Sequence, residues 1–294
     1  MSTDGLRDGR ISANGISFAF LEAGPATGPL ALCLHGFPDS AWTFQYLLPD
    51  LAEAGYHAVA PFQRGFAPTG LAGDGIYQTG ALVADACALH GALGGDGRAV
   101  VIGHDWGAIA AYGAGAFAPE RWTKVVGAAV PPGETLAKGL FAYDQLRRSW
   151  YIFFFQSPLA DLAVPMDDLA FIEGLWADWS PGFDGSEFVA RAKDCLRDPA
   201  NLAAAIGYYR AALGNGPTDP ALAGQQIATS QLVPQPTLYL HGSNDGCMGV
   251  NLVGTAPEYL GPGSHMAIVD RTGHFLHLEA PREVNGHIMS FLAT

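Results

Sequence analysis

Three residues far apart in the chain carry the clearest chemical signal: Asp105, Asp245 and His274. Asp105 is the centre of Gly103-His104-Asp105-Trp106-Gly107, where the apolar run RAVVIGHD meets the small-residue stretch WGAIAAYGAGAFAPE. A strand that turns at once into a helix through G-x-nucleophile-x-G leaves room only for small neighbours and lifts one side chain above the sheet. The helix N-terminus behind that side chain favours an anion. Taken alone, the pentapeptide reads equally well as an aspartate N-capping a helix. Its partners shift the balance. Asp245 follows PTLYLHG and His274 follows HMAIVDRTG, which gives the order nucleophile, acid, histidine along the chain. His104 competes for the role of base, but one residue before Asp105 it should point elsewhere on the turn. The fourth strand ends in Val130 and Pro131, so no carboxylate there rivals Asp245.

The residue type at the turn says which bond is attacked. Serine attacking a saturated carbon would leave an ether that water cannot readily cleave. A carboxylate attacking the same carbon leaves an ester, which water can open at its own carbonyl. Aspartate therefore points to displacement at an alkyl carbon, and an esterase or lipase reading fails at this residue. His35-Gly36-Phe37-Pro38 follows the run LALCL, at the position that supplies one backbone N–H to an oxyanion hole. Phe37 and Trp106 are the expected donors.

These residues need a sheet edge to hold them. ISANGISFAFLEAG reads as a hairpin turning at Asn14-Gly15. LALCL, HAVAPF, RAVVIGHD and KVVGAAVPP read as buried strands separated by helical segments, the rhythm of an α/β, doubly wound, mostly parallel sheet. SAWTFQYLLPDLAEAG is expected to be one helix, capped by Ser40, stopped by Gly55 and kinked at Pro49. From Gly133 the rhythm stops, and residues 133–226 read as an inserted helical cap on a core of residues 1–132 and 227–294. PTLYLHG and HMAIVD resume the sheet, and APREVNGHIMSFLAT closes it as a helix.

Taken together, HGFPDS, GHDWG, the cap, HGSND and GHF resemble the α/β-hydrolase superfamily, and more narrowly its aspartate-nucleophile epoxide hydrolases, which are related to haloalkane dehalogenases. The resemblance spans nearly the whole chain. It implies a cap seated over the aspartate, a cis Phe37-Pro38 bond, and two cap tyrosines that hydrogen-bond the epoxide oxygen. Those match Tyr151, in Tyr151-Ile152-Phe153-Phe154-Phe155-Gln156, and Tyr209, in the pair Tyr209-Arg210, with Tyr208 as the adjacent competitor. It implies conversion of an apolar epoxide and water to a vicinal diol, with no metal or organic cofactor. Phe37, Trp106, Trp150, Phe154 and Trp179 are the expected substrate-binding aromatics. One departure stands out: Phe62-Gln63-Arg64-Gly65 replaces the usual D-x-R-G and loses a carboxylate. Two other readings use the same scaffold. Haloalkane or haloacetate dehalogenases share the nucleophile, but Phe37 stands where many hold a halide-binding Asn and Trp106 where haloacetate enzymes hold an arginine. A non-enzymatic ligand binder would break a catalytic position, and none is broken.

Composition agrees with a small-molecule enzyme. The 294 residues carry a net charge of −13, which disfavours nucleic acid and anionic membrane surfaces as partners. A homo-oligomer is left open. Apolar residues make up 49% and charged ones 15%, the balance of a large core. Four cysteines without a CxxC give neither a disulfide framework nor a zinc site. The start MSTDGLRDGR has no apolar signal segment, and the expected setting is the reduced cytoplasm.

Overall fold

The computed structural model describes residues 5–294; the first four residues of the polar start MSTDGLRDGR lie outside that range. Strands β1 (Arg7–Ala13) and β2 (Ile16–Ala23) form the expected hairpin. Asn14 and Gly15 both take positive φ, 46° and 73°, as a two-residue turn matched to strand twist requires. The remaining strands are β3 (Leu30–Leu34), β4 (His57–Pro61), β5 (Ala99–His104), β6 (Trp122–Ala128), β7 (Thr237–Gly242) and β8 (His265–Val269). They form one sheet in the order β1-β2-β4-β3-β5-β6-β7-β8. Only the pairings of β1 with β2 and of β2 with β4 are antiparallel. Every residue of β3, β4, β5 and β7 is buried, as the unbroken apolar runs require of strands covered on both faces. The chain leaves β3 for one side of the sheet and β5 for the other. A site forms at the carboxyl ends of the two strands that flank this reversal.

The segment SAWTFQYLLPDLAEAG departs from expectation. It is a short 3-10 turn at Ala41–Phe44 followed by α1 (Leu47–Glu53), and Ser40 makes no side-chain cap. Pro49 is the third residue of α1, where its missing N–H costs no helical bond, so the helix begins around it instead of kinking. Helix α2 (Thr79–Ala92) packs on α3 (Trp106–Phe117).

Between β6 and β7 the chain forms the cap helices α4 (Gly133–Gly139), α5 (Tyr143–Arg148), α6 (Trp150–Phe154), α7 (Leu159–Ala163), α8 (Met166–Trp179, with a left-handed stretch at Asp167–Leu169), α9 (Ser186–Leu196) and α10 (Pro199–Ala212). Helix α11 (Ala223–Ala228) packs on α2 and α3, so the boundary expected at residue 226 falls inside a helix that lies against the core. The chain closes with α12 (Leu276–Glu279) and α13 (Pro281–Ala293), the latter against α1. Cap and sheet share one hydrophobic core. Trp176 of α8 stacks on Phe275 with ring centroids 3.4 Å apart and donates its indole N–H to the Pro38 carbonyl at 2.8 Å. Among the described residues no helix is long and apolar enough to cross a membrane. All four cysteines are free and buried.

Candidate active site

Asp105 stands at the turn between β5 and α3 with φ 54° and ψ −120°. A non-glycine residue held there stores about 1–3 kcal/mol of strain, which the surrounding packing must outweigh. Its flanking glycines explain how the turn fits: a Cβ at Gly103 would run into the backbone of Gly107, and one at Gly107 into the Leu34 carbonyl. The aspartate side chain makes no helix-capping bond, so the N-cap alternative does not describe it. Instead its Oδ1 accepts the Phe37 backbone N–H at 2.8 Å. Gly36 is required for that approach, because a Cβ there would collide with the Asp105 carboxylate.

The loop that offers the Phe37 N–H is pinned by His35. Its Nδ1 lies 2.8 Å from the Gly36 carbonyl, and its Nε2 accepts the Gln63 N–H at 2.9 Å. That pattern fixes a neutral imidazole with its proton on Nδ1. Burial, against the opposing pull of the Gly36 carbonyl and Asp105, brings the His35 pKa down to about 4. The Phe37-Pro38 bond is cis.

His274 is fully buried between two carboxylates. Its Nδ1 is 3.0 Å from Asp245 Oδ2, and its Nε2 is 3.7 Å from Asp105 Oδ2. Asp245 Oδ1 accepts the N–H groups of Cys247 and Met248, each at 2.8 Å. Burial pushes the Asp245 carboxyl up, but His274, His241 and the Met248 amide outweigh it and leave the pKa below the ordinary aspartate range. For His274, burial opposes the charged form, yet Asp245 and Asp105 more than reverse that and raise the pKa to about 10. His104 turns away from the site, with Nε2 2.9 Å from the His274 carbonyl.

Tyr151 on α6 and Tyr209 on α10 face Asp105 and Trp106 across a cavity of about 300 Å³. Their rings lie edge to face, 5.6 Å between centroids. Burial first, and then nearby Cys247 and Asp105, hold both phenols well above their ordinary pKa, so both keep their protons. Tyr208 takes another role and donates its hydroxyl to the Arg64 carbonyl at 2.7 Å. The Tyr151 hydroxyl is 3.4 Å from Cys247 Sγ. Among the described residues, Tyr209 Oη, Trp106 Nε1 and His274 Nε2 are buried without a hydrogen-bond partner. Buried polar groups are rarely left so: Tyr209 and Trp106 line the cavity and mark a place for a polar ligand atom, and His274 Nε2, beside Asp105, marks one for a water.

The aromatic lining differs from expectation. Trp150 is 45% exposed, and it packs with Phe154 on Phe171. Residues four apart share one helix face, and on α6 that face turns away from the cavity. The Phe37 ring sits behind Tyr209 and Phe155, leaving its backbone N–H as its contact with Asp105. Trp179 is wedged between Tyr151 and His274. The cavity wall is instead largely aliphatic, with Ile109, Leu136, Leu140, Ile152, Leu213 and Met248. Apolar residues of short helices carry no sequence mark that separates a cavity wall from a core, so these were missed. Among the described residues two buried groups combine metal-ligating residue types. One is Asp245, Cys247 and His274, whose side chains already bond within the site; the other is Asp39, His104 and His277, beneath it.

Residues 31–287 match the model of the alpha/beta hydrolase family. The chain is 28% identical to "Epoxide hydrolase A" of Mycobacterium tuberculosis, covering 96% of each chain. It is 29% identical to "AB hydrolase superfamily protein YfhM" of Bacillus subtilis, covering 98% of this chain and 99% of that one. In fold it is similar to Epoxide Hydrolase A from Mycobacterium thermoresistibile, with a TM-score of 0.80 over 98% of both chains at 24% identity. A catalytic-type elbow on this sheet, beneath a cap inserted after β6, and a family match over most of its length lead to one conclusion: the chain belongs to the alpha/beta hydrolase family.

Proposed function

We propose that the protein is an epoxide hydrolase that opens an apolar epoxide through an ester on Asp105. The observation that carries this reading is the pair of protonated phenols facing a carboxylate across a largely apolar cavity. An epoxide oxygen leaves as an alkoxide and needs a proton; a phenol, with an ordinary pKa near ~10, can supply it.

The two oxygens of Asp105 divide the work. Oδ1, already held by the Phe37 N–H, becomes the ester carbonyl. Oδ2 attacks the epoxide carbon, the carbon–oxygen bond breaks, and Tyr151 or Tyr209 protonates the released oxygen. Forming the ester cancels one of the two charges that raise the His274 pKa. The imidazolium then gives its proton to the tyrosinate and is left neutral. A water between His274 Nε2 and the ester carbonyl carbon next loses a proton to His274 and adds to that carbon. Negative charge collects on Oδ1, at the Phe37 and Trp106 N–H groups. As the tetrahedral adduct collapses, the acyl hydroxyl proton passes to the leaving alkoxide. The diol departs, and Asp105 and protonated His274 are restored.

One observation favours a second reading: Trp106 Nε1 is buried and unpartnered among the described residues, a fit donor for halide. Two protonated phenols facing Asp105 across the cavity favour the epoxide, since halide leaves without a proton. Diol release from aryl and alkyl epoxides, run beside terminal bromoalkanes and fluoroacetate, decides between them. Diol that disappears in Asp105→Ala supports the proposal; halide release without diol moves the activity to dehalogenation.

A further inference from the structure

Asp245 and His274 sit on loops that leave the sheet and meet directly, the Asn244 N–H donating to the Thr272 carbonyl at 2.8 Å, and a group from the cap binds both loops as well. The Trp179 carbonyl, at the C-terminal end of α8, accepts the backbone N–H of Gly246 and that of His274, each at 3.0 Å. The last carbonyls of a helix have no partner within it, which frees this one for both. Ser180 extends the junction. Its Oγ accepts the Phe275 N–H at 3.1 Å and donates to Glu279 Oε1 at 2.6 Å. Glu279 Oε2 accepts the Gly273 N–H at 2.8 Å. Three successive amides, 273 to 275, are therefore bound by this junction. The approach is close enough to require glycine: a Cβ at Gly246 would meet the Asp178 carbonyl, and one at Gly273 would lie 2.7 Å from the Trp179 carbonyl.

We propose that Ser180, together with Glu279, is a positioning residue for His274, so that seating the cap and assembling the acid–base pair are one event. Asp105 is fixed separately, by its own turn and the Phe37 N–H. Disturbing the junction should therefore spare attack on the epoxide and slow hydrolysis of the ester. Which step slows rests on the epoxide reading; the placement of His274 does not.

The test has a substrate-free arm and a kinetic arm. The low-field proton resonance of His274 Nδ1–H, identified by its loss in His274→Ala, should broaden or shift in Ser180→Ala and persist in Ser180→Thr. With styrene oxide, kcat of Ser180→Ala should fall on the order of 10- to 100-fold. KM should fall with it, and kcat/KM, which reports the attack, should stay within about twofold. The ester should accumulate as a mass increase on Asp105. Glu279→Gln, which keeps one acceptor, should show the same pattern more weakly. An unchanged resonance in both variants overturns the proposal. So does a fall in kcat and kcat/KM together at constant KM, the mark of lost folded enzyme. Wild-type protein that forms neither diol nor ester defeats only the epoxide reading, and the resonance then decides this one.

Discussion

Asp245 and Asp105 together set the charge of His274. With both flanking carboxylates ionised, His274 lies near the pKa of about 10 and is protonated at neutral pH. A protonated imidazole cannot take a proton from water. On the proposed route it becomes a base only after Asp105 is esterified, which places hydrolysis after alkylation in the order that route needs. Removing a neighbouring negative charge destabilises the imidazolium, so the sign is fixed: Asp105→Asn should lower the His274 pKa, by about 1 to 3 pH units. Titrating its imidazole by NMR checks this, and equal values in the two proteins would contradict it. At this scale the sequence was readable where chemistry constrains both residue type and order, as for Asp105, Asp245 and His274. It was unreadable where a helix face decides. Tyr151 and Trp150 are neighbours in the chain, yet one reaches the cavity and the other reaches solvent.

The segment after β4 links three elements that the site depends on. Gln63 binds His35, and the Arg64 carbonyl receives Tyr208 of α10, the residue before Tyr209. The buried Arg64 guanidinium is met by Asp85 of α2, at 2.5 and 2.6 Å. Phe62, standing where the resemblance expects a carboxylate, is buried in the core, and the Arg64 charge is met by a helix that follows it. Removing one partner of a buried ion pair strands the other charge, so Asp85→Ala should cost about 3–5 kcal/mol in urea unfolding. A loss under ~1 kcal/mol, the range of an exposed pair, would show that the pair is not what joins these elements. The strands were legible because burial on both faces demands unbroken apolar runs. The start of α1 was not: a 3-10 turn and a helix share nearly the same periodicity, and Pro49 suits a first turn as well as a kink.

The whole molecule places a largely apolar chamber inside an acidic protein. Net charge is −13, and Asp105 is the one charged side chain lining the cavity among the described residues. An anionic substrate would lose its hydration there beside the Asp105 carboxylate, and the neighbouring cation, His274, is already held between Asp245 and Asp105. The chamber, at about 300 Å³, suits a compact uncharged epoxide. Comparing a neutral aryl epoxide with its carboxylate-bearing analogue, kcat/KM should drop at least ~100-fold, since burying an unpaired carboxylate costs several kcal/mol. Comparable values would mean that a cation reaches the chamber during turnover. The division into sheet and cap was legible from the break in rhythm at Gly133. The shared core and the α8 junction were not, because they join residues distant in the chain through backbone groups that every sequence carries.

The proposed catalytic cycle turns on a covalent ester at Asp105. A single turnover in heavy-oxygen water, with enzyme in excess over epoxide, followed by mass analysis of the peptide carrying Asp105, tests it most directly. Hydrolysis at the ester carbonyl leaves the heavy oxygen in the Asp105 carboxylate and gives unlabelled diol. Heavy oxygen found in the diol alone would mean that water attacks the epoxide itself, and the account of Asp105 as nucleophile would be wrong.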